Sequence, residues 1–372
     1  MSGHKKARNI NVPFFWPMQI AEELAESGAE IAVRNLKFLN EEEKLQTELH
    51  PKLATANTVH LDLRTMQLRD YSQGSTGGIP TIVDAPFAGH SAMIADYHAG
   101  QSLVETLREN GVLRVYLTDW KSATEDMKDL EIDQYLAELL VCIDDLGGRV
   151  NLVGLCQGGW MATMLAARFP EKVQSLVLAG SPIDTAAGHG PLKKLVHEYP
   201  LSFYEELVAA GGGLMLGRYM LAGWKNMHPE RHYVEEHIDL YEHIDDPVWL
   251  KKTETFESWY EHPINLPGRW YLQAIKLLFK ENHLAQGRFV GLGQKLSLKA
   301  ITCPLYLLAG EADDITPREQ VFAAAGLMGT PADHITQKLV PGGHIGLFMG
   351  ARTLREHWPE IARWITRQPS AG

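Results

Sequence analysis

From Ile79 onward the sequence alternates between short apolar runs and segments of helical periodicity, and this alternation constrains the fold more than any other feature. The apolar runs, mostly ending in Gly, Pro or Asp, are IPTIVDAPF, LRVYLTDW, RVNLVGLC, VQSLVLAGSP, CPLYLLAG and ITQKLVPGGH. Helical segments at residues 97–110, 131–146 and 160–168 separate several of them. Strands and helices in alternation predict a mostly parallel central sheet with helices on both faces.

Two regions depart from this alternation. Upstream, residues 18–40 have the periodicity of a helix, and TVHLDLRTMQLRDYS alternates apolar and polar side chains as half-buried antiparallel strands do. Between Asp184 and Ser297 the strand–helix unit does not recur, and the helical stretches are crowded with aromatic and histidine residues. We therefore expect a core at residues 1–184 with an N-terminal helix, a mainly helical, aromatic-rich cap at 185–296, inserted before the last two strands, and the rest of the core at 297–372.

Composition excludes several classes of partner and structure. The chain has 372 residues, is 45% hydrophobic and carries a formal net charge of −11, so a nucleic-acid partner is not expected. It has neither a secretory pattern nor an apolar stretch of about 18 residues, which predicts a cytoplasmic protein without a transmembrane segment. Cys142, Cys156 and Cys303 are too few and too scattered for a disulfide framework or a zinc site.

One of these cysteines lies in VNLVGLCQGGW, where an apolar run breaks into glycines. Gly154 and Gly158 flank Cys156 in a Gly-x-Cys-x-Gly pattern between strand and helix, which is typical of a nucleophile elbow. Such a turn is so tight that a Cβ atom at either glycine would collide with neighbouring chain. The helix N-terminus also favours a thiolate there. We therefore predict that Cys156 is a nucleophile and that Cys142 and Cys303 only fill space.

A thiol nucleophile needs a base and a carboxylate that orients it. His344 follows the last apolar run on a glycine-bracketed turn, KLVPGGHIGLF, and Asp313 follows the preceding run in LYLLAGEADDITP. We predict His344 as the base and Asp313 as its carboxylate, with Asp314 and Asp184 as alternatives for the acid. A turn histidine bonded only to its neighbours is the alternative for His344. The order Cys156, Asp313, His344 is that of nucleophile, acid and base in α/β-hydrolases.

The oxyanion hole of such a site is built from backbone amides. One is expected at Gln157, directly after the nucleophile, and the second at Phe87 or Ala88 in the loop VDAPFAGHSA.

Three further side chains are candidate substrate contacts: His90, Trp120 and Trp224. Each has a structural alternative, because His90 fits a plain loop residue, Trp120 fits packing near the elbow, and cap aromatics such as Trp224 fit a cap core. No cofactor is predicted, since no dinucleotide fingerprint occurs. No metal is predicted either, because EADD lacks the regularly spaced oxygen ligands of a calcium loop.

With these residues identified, the chain resembles the polyhydroxyalkanoate enzymes, a family with a cysteine-nucleophile α/β-hydrolase fold, over residues 79–365. GLCQGG and PGGHIG look like the polymer synthases. The segments APFAGHSAMIADYHAGQSLVETL, VYLTDW, LPGRWYLQAIKLLFKENHLAQG and GEADDI look more like the intracellular polyhydroxybutyrate depolymerases. The family triad falls on Cys156, Asp313 and His344. AGHSAMIAD stands where the synthases have an Asn-Arg-containing stretch, and this departure favours hydrolysis.

The resemblance implies an intracellular esterase that hydrolyses the 3-hydroxyalkanoate ester bonds of a polyester or oligoester through an acyl-cysteine. The alternative it implies is a synthase that transfers 3-hydroxyacyl groups from coenzyme A thioesters, and a remote third is a non-catalytic granule-binding protein. An exposed patch on or beside the cap is a candidate for contact with a polymer granule surface. The sequence leaves substrate chain length and oligomeric state open, a homodimer included.

Overall fold

The computed structural model describes residues 37–38, 50–227 and 242–368. The chain forms two compact units, one of Met1–His50 with His228–Glu261 and the other of Pro51–Met227 with His262–Gly372. The helix predicted at residues 18–40 lies outside the described residues except for Lys37 and Phe38, which are helical. The segment predicted as the cap, 185–296, contributes residues to both units.

The larger unit is organised around an eight-stranded sheet. The strands along the chain are β1 (Thr58–Asp62), β2 (Met66–Asp70), β3 (Thr81–Asp84), β4 (Val115–Trp120), β5 (Val150–Leu155), β6 (Val173–Ala179), β7 (Leu214–Met215), β8 (Leu266–Pro267), β9 (Val290–Gly291), β10 (Gln294–Lys295), β11 (Leu305–Gly310) and β12 (Ile335–Val340). The sheet has the order β1-β2-β4-β3-β5-β6-β11-β12, and β7–β8 and β9–β10 form two short ribbons.

Strand directions follow the predicted pattern. β1 pairs with β2 and β2 with β4 in antiparallel fashion, whereas every neighbouring pair from β4 to β12 is parallel. All residues of β3, β5, β6 and β11 are buried, because helices cover both faces of the parallel part. This confirms the mostly parallel sheet and explains why its strands read as continuous apolar runs.

Helices fill the intervals between strands. They are α1 (Leu103–Glu109), α2 (Ile132–Asp145), α3 (Gln157–Arg168), α4 (Pro191–Glu198), α5 (Leu201–Ala210), α6 (Gly217–Met227), α7 (Pro247–Tyr260), α8 (Gly268–Gln273), α9 (Arg318–Phe322), α10 (Ala324–Leu327), α11 (Gly346–Met349), α12 (Ala351–Glu356) and α13 (Trp358–Arg367), with a π-helical stretch at Ala274–Lys280. Single turns of 3₁₀ helix occur at Ala92–Ala95, Glu125–Met127, Pro170–Lys172, Leu298–Ala300 and Ala332–His334. No helix among the described residues combines the length and apolarity needed to cross a membrane.

Two of these elements bear on the predictions. The helix expected at 97–110 begins only at Leu103, because the Ser102 hydroxyl accepts a hydrogen bond from the Glu105 N–H and caps the helix there. Between β6 and β11 the described chain is mainly helical, which confirms an insertion before the last two strands. Because parallel strands end at one edge of a sheet, the loops after β3, β5, β6, β11 and β12 meet there.

Candidate active site

Cys156 stands at the turn between β5 and α3. Its backbone has φ 50° and ψ −118°, a conformation that residues with a side chain rarely adopt. Neighbouring chain holds it there: the Cys156 N–H donates to the Ala179 oxygen at 2.8 Å, and the Cys156 carbonyl accepts from the Gly159 N–H at 3.0 Å. The residue is partly exposed. The sequence thus folds into a sharp elbow with a thiol at its tip.

Three glycines make this elbow sterically feasible. A Cβ atom at Gly154 would lie 2.3 Å from the Cα of Gly159, and one at Gly158 would lie 2.1 Å from the backbone oxygen of Asp84. One at Gly159 would lie 1.8 Å from the hydroxyl oxygen of Ser181. All three distances are far below van der Waals contact. The Gly-x-Cys-x-Gly pattern predicts a glycine at two of these positions, and the need for a glycine at the third, Gly159, is seen only in the structure.

His344 and Asp313 meet in the loops after β12 and β11. The Nδ1 atom of His344 lies 2.7 Å from Oδ2 of Asp313, and both side chains are buried. The other carboxylate oxygen, Oδ1, accepts from the backbone N–H groups of Ile315 at 3.1 Å and Thr316 at 2.8 Å. Both oxygens are thus engaged, and the carboxylate fixes the orientation of the imidazole.

The structure separates the three candidate acids. Asp313, and not its neighbour Asp314, is the residue bonded to His344. The Asp184 carboxylate accepts from the Asn282 side-chain amide at 2.7 Å and from the Ala186 N–H at 3.0 Å, so it is engaged elsewhere. Among the described residues, no three His, Cys, Asp or Glu side chains are grouped so as to hold a metal ion.

The residue after β6 leaves space for the imidazole. Gly180 has φ +54°, and a Cβ atom there would lie 3.3 Å from Cε1 of His344 and 3.1 Å from Cζ of Phe348. The Phe348 ring meets the imidazole edge-on, with 5.4 Å between centroids. The left-handed backbone at position 180 favours a glycine, and a side chain there would crowd the histidine it faces.

The electrostatics of His344 link the thiol to the carboxylate. Burial by itself lowers the pKa of this imidazole, but the charges of Cys156 and Asp313, together with hydrogen bonds to both, place the pKa well above its ordinary value. The imidazole therefore interacts with a thiol on one side and a carboxylate on the other. A protonated imidazole in this position stabilises a thiolate, which is the reactive form of a cysteine nucleophile.

One amide expected in the oxyanion hole already has a partner within the protein. The Phe87 N–H donates to Oε1 of the Gln157 side chain. Gln157 is the first residue of α3, so its backbone N–H is one of those that a helix leaves without an intrahelical acceptor. The oxyanion roles of Gln157, Phe87 and Ala88 stay predictions. The Phe87–Gln157 contact joins residues 70 positions apart, and no sequence pattern signals it.

The candidate substrate contacts have different surroundings. Trp120 is buried, and its Nε1 donates to the Ala85 carbonyl at 2.9 Å, which fits the structural alternative for this residue. His90, in the loop after β3, and Trp224, in α6, are both partly exposed. Contact of His90, Trp120 or Trp224 with a substrate stays a prediction.

Comparisons with known proteins establish the relatives of the chain. A profile of the family described as "Protein of unknown function (DUF3141)" matches residues 64–340. The poly(3-hydroxyalkanoate) polymerase subunit PhaC of Allochromatium vinosum is 25% identical over 363 residues, which cover 95% of this chain and 98% of that protein. The protein of the same name from Haloferax mediterranei is 27% identical over 285 residues, 75% of this chain and 57% of the relative. The resemblance to polyhydroxyalkanoate enzymes is thereby confirmed, and the closer likeness to depolymerases stays a prediction.

Solved structures bear on the fold. The monoacylglycerol lipase of Paleococcus ferrophilus superposes with a TM-score of 0.51 and 16% sequence identity, covering 82% of this chain and 100% of the lipase. A likeness at this level of identity shows the fold alone. It confirms the α/β-hydrolase fold that the sequence predicts.

Proposed function

The chain belongs to the DUF3141 family, and we propose that this protein is a cysteine acyltransferase that builds poly(3-hydroxyalkanoate), carrying 3-hydroxyacyl groups from coenzyme A on Cys156. The observation that carries the proposal is the position of the His344 imidazole, which interacts with the Cys156 thiol and with Asp313. The sequence alone favours hydrolysis. The polymerase names of the relatives, one of them aligned over 95% of this chain, reverse that preference.

Acylation of the cysteine is the first step. The Cys156 thiolate attacks the carbonyl carbon of the 3-hydroxyacyl thioester, which forms a C–S bond and a tetrahedral oxyanion. Collapse of this intermediate breaks the bond to the sulfur of coenzyme A, and the His344 imidazolium gives its proton to the departing thiolate. The products are free coenzyme A and a 3-hydroxyacyl-Cys156 thioester.

Ester formation is the second step. The hydroxyl group of a second 3-hydroxyacyl unit attacks the acyl-cysteine, and His344 takes the hydroxyl proton as the C–O bond forms. The C–S bond to Cys156 breaks and regenerates the thiolate. Asp313 engages Nδ1 of the imidazole, which leaves Nε2 for both proton transfers.

Hydrolysis is the second candidate, and the segments APFAGHSAMIADYHAGQSLVETL and VYLTDW favour it through their likeness to depolymerases. In that case the Cys156 thiolate attacks an ester carbonyl of the polymer, and His344 protonates the departing chain hydroxyl. Water then attacks the acyl-Cys156 while His344 takes its proton, and a free 3-hydroxy acid leaves as the thiolate is restored. The two reactions use the same three side chains. They differ in the acyl donor, a coenzyme A thioester or a polymer ester, and in the nucleophile that reaches the acyl-cysteine.

A product assay separates the two reactions. Wild type, Cys156→Ala and the matched control Cys142→Ala, which removes a buried thiol of α2, are incubated with 3-hydroxybutyryl-coenzyme A and, separately, with amorphous poly(3-hydroxybutyrate). The proposal expects new polymer and free coenzyme A from wild type and Cys142→Ala, and neither product from Cys156→Ala. Shortened polymer together with free 3-hydroxy acid would contradict the proposed transferase and support hydrolysis instead. Equal behaviour of Cys156→Ala and wild type would overturn both candidates.

A further inference from the structure

The hydrogen bond between Phe87 and Gln157 joins the two segments that supply oxyanion amides in this fold. Its donor is the backbone N–H of Phe87 in the loop after β3, and its acceptor is the carboxamide oxygen of Gln157, the residue after Cys156. A carboxamide oxygen is an uncharged carbonyl oxygen, the same kind of acceptor as the carbonyl of an ester or thioester. The protein itself thus offers the Phe87 N–H a carbonyl oxygen beside the nucleophile.

The loop that carries this amide is fixed independently of Gln157. The Ala85 N–H donates to the Thr118 hydroxyl at 2.9 Å, and the Ala85 carbonyl accepts from Trp120 Nε1 at 2.9 Å. The Phe87 ring is fully buried and packs against three aromatic rings at centroid distances of 5.9, 4.9 and 5.1 Å: Trp120, Tyr135 and Trp270. The Phe87 amide is therefore held in place by its own loop and ring.

The Gln157 side chain is buried, and its second polar contact is a weak one. Its second hydrogen bond runs from Nε2 to the sulfur of Met161, one helical turn further along α3, at 3.2 Å. A thioether sulfur is only a weak acceptor. Rotation about the side-chain torsions separates the carboxamide from Phe87 while the backbone of α3 stays in place. Of the two partners in this hydrogen bond, we therefore expect the Gln157 side chain to be the one that moves.

We propose that the carboxamide oxygen of Gln157 holds the place at the Phe87 N–H that the acyl oxyanion takes during reaction, so that acylation of Cys156 requires this side chain to turn away. This inference rests on the acyl chemistry proposed for Cys156. A hydrogen bond to a full negative charge is about twice as strong as one to a neutral group. The carboxamide therefore competes with the neutral carbonyl of the substrate and yields to the oxyanion, which directs binding towards the transition state. Gln157 is thus a positioning residue.

This role is tested by substitutions that weaken or strengthen the hydrogen-bond acceptor at position 157. Gln157→Met removes the strong acceptor at nearly constant side-chain length, whereas Gln157→Glu strengthens it. The acylation rate of Cys156 is measured with p-nitrophenyl acetate and with 3-hydroxybutyryl-coenzyme A, and its alkylation rate with iodoacetamide. Alkylation displaces iodide from a saturated carbon and forms no oxyanion, so it reports the reactivity of the thiolate alone. The ratio of acylation to alkylation isolates the oxyanion site from any change in the thiol.

The proposal expects this ratio to fall in the order Gln157→Met, wild type, Gln157→Glu. Removal of one neutral hydrogen bond predicts a rise of about two- to tenfold in Gln157→Met. A ratio of acylation to alkylation in Gln157→Met equal to or below that of wild type would overturn the proposal. The Phe87 N–H would then either depend on Gln157 for its position or take no part in binding the oxyanion. Should Gln157→Met fail to fold in a thermal-unfolding control, Met161→Leu replaces it, since loss of the sulfur tether is expected to raise the ratio in the same direction.

The two acyl donors keep this proposal distinct from the proposed function. The predicted order with p-nitrophenyl acetate, without any acylation by 3-hydroxybutyryl-coenzyme A, would remove the polymerase assignment and leave the role of Gln157 standing. Acylation by both donors at a ratio that does not depend on residue 157 would remove the role of Gln157 alone.

Discussion

The start of α3 and the end of β3 touch through Gly158 and Asp84, where a Cβ atom on the glycine would lie 2.1 Å from the backbone oxygen of the aspartate. This backbone contact sets the spacing between the nucleophile elbow and the loop that carries the Phe87 amide. The geometry of the site therefore depends on a position that has no side chain at all.

The contact predicts a large effect of Gly158→Ala. The methyl group meets backbone atoms that cannot rotate away, so we expect the free energy of unfolding to fall by about 1–3 kcal/mol or more, with loss of Cys156 acylation. Gly326→Ala is the matched control, because nothing lies within 4 Å of its Cβ position in α10; helix propensity predicts an unchanged or slightly higher stability. Urea unfolding of both variants is the measurement, and equal effects would contradict the steric account.

The acid that orients His344 is tested by a pair of neighbouring substitutions. Asp313→Asn leaves an amide that no longer favours the productive tautomer of His344, so we expect the acylation rate of Cys156 to fall by about 10²- to 10⁴-fold. Asp314→Asn removes an equal charge one residue along, outside the contact with Nδ1, and is expected to change the rate by no more than a few-fold. Single-turnover acylation with p-nitrophenyl acetate measures both. A larger loss in Asp314→Asn would reassign the acid.

The three thiols are predicted to differ strongly in reactivity. Burial raises the pKa of Cys142 and of Cys303 to about 12 in each case, so neither forms an appreciable thiolate at neutral pH. Cys156 is partly exposed and lies beside an imidazole whose pKa is raised. Peptide mapping after brief iodoacetamide treatment at pH 7 is therefore expected to find the label on Cys156. Equal labelling of all three cysteines would support the non-catalytic alternative.

Asp84 predicts a pH dependence of stability. Burial raises its pKa from an ordinary value of 3.8 to about 8, although a hydrogen bond from the Thr118 hydroxyl acts in the opposite direction. Between these two values the unfolded chain releases a proton that the folded protein keeps, so the native state loses up to about 1.4 kcal/mol per pH unit as pH rises. Asp84→Asn removes this titration. Its stability relative to wild type should grow from pH 4 to pH 8 and then level off in urea unfolding; a constant difference would contradict the raised pKa.

Much of the fold is predictable because buried parallel strands leave a simple trace in the sequence. β5 and β11 coincide with the apolar runs VNLVGL and LYLLAG, and each ends in the turn that carries a predicted site residue. The start of α1 is not predicted, because it depends on the Ser102 hydroxyl capping the Glu105 N–H, a local contact that competes with the helical periodicity further upstream.

The contacts that complete the site depend on tertiary structure. Asp313 and Asp314 are equivalent in sequence, and only the 2.7 Å contact with His344, 31 residues later, separates them. The bond from Phe87 to Gln157 spans 70 residues and likewise has no local signature. Gly159 is required by Ser181 from a neighbouring strand end, which a pattern within the elbow cannot reveal.

The central claim is that the sulfur of Cys156 carries the acyl group. Its most direct test is intact-mass and peptide mass spectrometry of the protein quenched in acid within seconds of mixing with 3-hydroxybutyryl-coenzyme A. The account predicts a single 3-hydroxybutyryl group on the peptide that contains Cys156, and none in Cys156→Ala. An acyl group on another residue would contradict it. Turnover of the thioester by Cys156→Ala at the rate of the wild-type protein would contradict it as well.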